Sequence, residues 1–203
     1  MRFSVLADGS PRTVELDFGS PEDLRLVSHW RAPARVKNKP AVRDALEFAH
    51  LAATRHGHYC ALPTAHNASQ LKSMLSRQAD LEVALMFVVR ANWFKRSSIL
   101  GIAHCRRTYC HHLVLEFLSV HPSIVGRLSP RILGVGKGLV YGLAEIASKI
   151  GVKLIWGEAT SNSAAFYSHI LFGAQVADRF RIEKRALARC RRDFREKFFG
   201  ELD

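Results

Sequence analysis

The chain is 203 residues long, 48% hydrophobic and 24% charged; that suffices for one sizeable core, falls short of two full domains, and excludes both a disordered chain and a membrane-spanning one. Its 30 Lys and Arg against 18 Asp and Glu leave a formal charge of +12, a field that concentrates polyanions such as nucleic acid, an anionic lipid surface or a phosphorylated small molecule, unless it serves solubility alone. The opening MRFSVLADGSPRTVELDF lacks an apolar block of signal-peptide length, no charge-free run spans a bilayer, and Cys60, Cys105, Cys110 and Cys190 form no C-x-x-C pair, so a cytoplasmic protein with reduced thiols is expected.

In chain order, FSVLADGSPRTVELDF reads as two short strands around an Asp-Gly-Ser-Pro turn. HWRAPARVKNKP is a basic, proline-punctuated loop. AVRDALEFAHLAATRH then places Val42, Leu46, Ala49 and Ala53 on one helical stripe, with Gly57 as its stop. A second helix covers SQLKSMLSRQA, started by Asn67 or Ser69. EVALMFVVRA, SSILGIAHCRR and HHLVLEFLSV are apolar, β-branched strands joined by short polar connections, hence antiparallel hairpins. From Gly136 to Gly151 the apolar spacing changes to three and four, which is a helix. VKLIWGEA is another buried strand, SNSAAFYSHILF another helix, and QVADRFRIEKRAL a last extended piece.

RILGVGKGLV, residues 131–140, sits where the strand ending at Val120 hands the chain, through a loop, to a helix. Amides at a helix start lack internal partners and carry the positive end of the macrodipole, so they bind phosphate where no side chain blocks the approach. The Walker A pattern fails here, since Arg131 replaces its first Gly and Gly138 its hydroxyl; G-x-G-x-x-G fails because Leu139 stands at the third glycine. What remains, Arg131-x-x-Gly134-x-Gly136, is similar to the R/Q-x-x-G-x-G/A signature of the GNAT superfamily of acyl-CoA-dependent N-acyltransferases. Upstream, Leu118-Ser119-Val120-His121-Pro122 resembles the end of that family's central strand. Downstream, ATSNSAAFYSHILFGA resembles its Asn and Phe-Tyr segment. The resemblance runs from about Glu82 to Arg189. Two departures stand out: SIVGRLS lengthens the loop before Pro130, and Leu171-Phe172 replaces the Gly-Phe that follows the family's tyrosine.

The resemblance implies an α/β fold with a mixed, mostly antiparallel central sheet flanked by helices and splayed at the acyl-CoA site. It also implies acetyl transfer from acetyl-CoA to an amine by direct attack on the thioester. Residues 1–80 would form the acceptor side of a single domain, 81–189 the acyl-CoA-binding core and 190–203 a basic tail. By the same resemblance the backbone of Leu118 and Val120 holds the pantetheine arm and the carbonyl oxygen, Arg131, Gly134, Gly136, Lys137 and Gly138 cradle the diphosphate, and Asn162 helps begin the helix that carries Tyr167, the general acid. A core aromatic beside Phe166 and a plain helix N-cap are the competing readings of Tyr167 and Asn162.

Glu116 is the candidate general base: alternation puts it on the face of Leu118, and apolar neighbours would raise its pKa; a salt-bridged strand Glu is the competing reading, with Glu158 and the His pair in reserve. HCRRTYCHH holds five potential metal ligands, but its spacing matches no usual zinc pattern and neighbours on a strand point to opposite faces, so no metal is expected. In IEKRALARCRRDFREKFFGEL, Leu187, Cys190, Phe194 and Phe198 share a helical face with arginines elsewhere. This basic amphipathic helix would pack on the domain or on a second subunit of a homodimer, or meet RNA, another acidic partner or a membrane surface. Against the enzyme stands a non-catalytic basic module that kept the fold and binds nucleic acid.

Overall fold

The computed structural model describes residues 1–36, 38–58 and 63–198; Cys60 lies outside them, as does the side chain of Phe198. The chain begins with a hairpin, β1 (Arg2–Ala7) and β2 (Ser10–Phe18). The turn between them is tighter than the sequence suggests. Asp8 and Gly9 alone make it, both at positive φ (49° and 83°), and Ser10 and Pro11 already pair with Ala7 and Leu6.

A helix the sequence reading lacked follows, α1 (Pro21–Ser28). Ser20 and Asp23 close a reciprocal capping box at its start, and Asp23 also pairs with Arg90 across the sheet. Next come α2 (Lys39–His58), which runs through Gly57 rather than stopping there, and α3 (Ala68–Arg77), capped by Asn67. The three expected strands are β3 (Val83–Arg90), β4 (Ile99–Arg107) and β5 (His112–Val120). The loop after β5 holds a single turn of helix, α4 (Pro122–Val125), and a two-residue strand, β6 (Ile132–Leu133), both too short to register as periodicity. α5 (Val135–Lys149), β7 (Leu154–Glu158) and α6 (Ala164–Ile170) follow. The last extended piece is only β8 (Arg179–Glu183), because helix α7 (Lys184–Phe198) starts at the next residue.

The eight strands form one sheet in the order β6-β1-β2-β3-β4-β5-β7-β8. Every neighbouring pair is antiparallel except β5 and β7. Helices cover both faces, which is why β3 can be apolar at seven successive positions. Leu85, Phe87 and Val89 join the core beneath α5, while Met86 and Val88 join the one beneath α1 and α2. α5 lies very close to the hairpin: a β-carbon on Gly138 would stand 2.2 Å from the Phe3 ring. No helix of the described residues is long and apolar enough to cross a membrane.

Candidate active site

The parallel ladder between β5 and β7 is short. It pairs His112–Leu115 with Leu154–Gly157 and ends, whereas on its other edge β5 stays paired with β4 as far as Val120. From Glu116 to Val120 one edge of β5 therefore faces a gap instead of a strand. A cavity of about 360 Å³ fills that gap, bounded by β5, the start of α5, α6 and the first half of α2. It reaches both faces of the sheet. Leu118 and Val120 pack towards the core beneath α5, while Ser119 Oγ donates to the Ala45 carbonyl of α2 at 2.5 Å and Phe117 lies 6.2 Å from the Phe48 ring.

At one end stand the first residues of α5. Gly134, the N-cap, has φ 101°, a conformation that favours glycine, and no side chain caps the helix. The first helical bond runs from the Gly138 amide to the Gly134 carbonyl (2.8 Å), which leaves the amides of Val135, Gly136 and Lys137 without helical partners. Gly134 and Gly136 line the cavity. Gly138 does not belong to the expected cradle: its amide is used within the helix and its α-carbon is pressed against Phe3, so the absence of a side chain there serves packing. Lys137 turns outward, its Nζ 5.3 Å from the centre of the Tyr141 ring. There it borders a second depression with His169, Phe172 and Arg189. Arg131 is exposed and tied by its backbone to Asp8 in both directions, at 2.7 and 2.9 Å.

Tyr167 lines the cavity from α6, 5% exposed and stacked on Phe180 at 4.0 Å between ring centres. Burial, and next the nearby Cys105 thiol, push its phenol well above the usual range. Asn162 is not the N-cap of α6; Ser163 is. Asn162 instead donates to Asp44 Oδ2 of α2 at 2.6 Å, joining the two walls of the cavity.

Glu116 also lines the cavity, in a setting different from the one expected. A β-bulge between His104 and Cys105 places Phe117 opposite His104 and Leu115 opposite Cys105, so Glu116 is the extra residue and the simple alternation with Leu118 breaks. Its carboxylate meets His104 Nδ1 at 3.1 Å, Arg106 Nε at 3.3 Å and Arg55 Nε at 3.9 Å. Its neighbours are cationic and polar where apolar ones were expected.

The lining residues that the sequence does not single out as a site include Asp44, Phe48 and Phe166. The signal for the first two lay in α2, where Ala41, Ala45 and Phe48 form a second stripe beside the buried Val42 and Ala49. Of the residues of HCRRTYCHH, His104 is fully buried with its ring 5.4 Å from that of His56, Cys105 lies in the opposite core, and Cys110 is exposed with its Sγ 3.5 Å from His112 Nδ1. Among the described residues no group of three His, Cys, Asp or Glu is placed to hold a metal ion.

No family model and no curated protein matches this sequence. Among solved structures the chain is similar to the PaiA N-acetyltransferase of Thermoplasma acidophilum in complex with coenzyme A, at 13% identity over 85% of this chain and 100% of that one, TM-score 0.48. It is similar also to a spermidine N-acetyltransferase SpeG chimera from Vibrio cholerae and hSSAT, at 13% identity over 87% and 97%, TM-score 0.47. Against nourseothricin acetyltransferase the identity is 20% and the TM-score 0.35, and the match spans about half of each chain (43% of this one, 48% of that one).

Proposed function

We propose that this chain is a GNAT-type, acyl-CoA-dependent N-acyltransferase that moves an acetyl group from acetyl-CoA to an amine. The observation that carries the reading is the open edge of β5. A pantetheine arm is an extended chain with two amides, and the edge from Glu116 to Val120 offers it main-chain groups that no strand of the described residues occupies. The unpaired amides of Val135, Gly136 and Lys137 would take the diphosphate, with Lys137 and Arg131 flanking as charge. The α2 wall, within the first 80 residues, would hold the acceptor.

An ammonium gives one proton to the Glu116 carboxylate, directly or through a water, and the freed amine attacks the thioester carbonyl carbon. Backbone donors near Leu118 and Val120 hold the developing oxyanion. The C–S bond breaks, nitrogen loses its second proton and the thiolate takes one up, so one proton is released per amide formed. Tyr167, which lines the same cavity, would face the sulfur. Because burial keeps its phenol protonated at any working pH, it donates a hydrogen bond to the leaving sulfur and relays a proton rather than supplying one net.

Calorimetric titration of acetyl-CoA at low salt tests the reading. Binding should be measurable for the wild type and weakened at least about tenfold in Gly136→Val, since a β-carbon there already stands 3.2 Å from the Phe166 ring. Absence of binding heat for a wild-type protein with an intact melting transition sinks it.

A further inference from the structure

The charge of the cavity runs against the charge of the chain. Among the described residues Asp44, Glu116 and Glu158 line it and no Lys, Arg or His does, in a protein with 30 Lys and Arg and a net charge of +12. Exposed cations outside that lining include Arg179 and Arg181 on β8 and Lys184, Arg185 and Arg192 on α7. Glu116 is already faced by Arg106 and Arg55. Asp44 accepts from the neutral amide of Asn162, and Glu158 stands exposed at the end of β7. Between these two carboxylates and the catalytic gap the α2 side of the cavity is apolar, with the Phe48 and Phe117 rings and with Ala41 and Ala45.

We propose that the acceptor is a cationic primary amine with an apolar body and no anionic group of its own. This refinement rests on the acyltransferase reading. An ammonium entering on the α2 side meets carboxylates and aromatic faces, both of which attract it. An acceptor bearing a carboxylate or a phosphate beside its amine, such as a free amino acid or an amine carried on a nucleic acid, would meet Asp44 and Glu158 with no cation among the described lining residues to compensate. The apolar wall then discriminates by body, because it gives a long chain of further charges nothing to pair with.

The test is acetyl transfer to matched pairs of amines that differ only in a carboxylate: 2-phenylethylamine against phenylalanine, and isoamylamine against leucine. The decarboxylated member should be preferred in kcat/KM by at least about tenfold. Glu158→Gln and Asp44→Asn should each raise KM for 2-phenylethylamine roughly 3- to 10-fold, more than they lower kcat, with acetyl-CoA affinity and Tm unchanged. Preference for the amino acid, transfer to neither member of either pair, or an unchanged KM in both folded variants overturns the inference, while measured acetyl-CoA binding leaves the acyltransferase reading standing. Loss of acetyl-CoA binding by the wild type overturns both.

Discussion

Tyr167 shows how much a single side chain's role depends on what surrounds it. The sequence offers a phenol beside a phenylalanine, and nothing in that pair distinguishes a core aromatic from a catalytic one. In the structure it packs as a core aromatic, stacked on Phe180 and nearly buried, and it also borders the cavity where the sheet opens. Its high pKa narrows the chemistry to donation and relay. Tyr167→Phe keeps the stacking and removes only the hydroxyl. Turnover should fall at least about tenfold while acetyl-CoA affinity stays within about twofold. Steady-state kinetics beside calorimetry would check this, and unchanged turnover would leave the phenol a packing role alone. Glu116 teaches the complementary lesson. Its identity as a polar residue amid an apolar strand was legible, but its direction was not, because the bulge is set by the register with β4 and leaves no mark in the alternation of LVLEFLSV.

Among the elements, those with long apolar runs were legible: β3 to β5, α5 and β7 carry their period in the sequence, and so does the mixed α/β class. The pieces that were not legible are short. α4 and β6 have four and two residues, less than one period of any pattern, and they are fixed by their neighbours. His121 shows how. Its Nδ1 accepts from the Ser123 amide at 3.2 Å and caps α4, while its ring meets Trp30 and Phe94 edge-on. Burial, and next the charge of Arg96, push this imidazole down to about 4, and burial with the neighbouring His104 does the same to His56 on α2. Both rings are neutral in the folded protein at pH 7. The unfolded chain takes up their protons near pH 6.5, so the stability they contribute is full above that value and is lost as the pH falls towards 4, on the order of a few kcal/mol in all. Thermal melts between those limits should show Tm dropping for the wild type and dropping less for His121→Asn, which retains a capping acceptor without the titration. Parallel curves would mean that His121 titrates alike folded and unfolded.

Over the whole molecule the arrangement is a segregation of charge: a strongly basic exterior around a gap lined by carboxylates. The two proposed substrates read that arrangement with opposite signs. Acetyl-CoA is a polyanion, and a field of +12 raises its concentration at the surface over distances comparable to the Debye length. A cationic amine is repelled by the same field and attracted at short range by Asp44 and Glu158 once it reaches the gap. Raising KCl from about 20 to about 200 mM shortens the Debye length roughly threefold. That should lower kcat/KM for acetyl-CoA several-fold and leave kcat/KM for the amine level or slightly higher. A fall of equal size for both substrates would mean that the carboxylates dominate the field at the mouth of the cavity, and the segregation would then have no bearing on how the acceptor arrives.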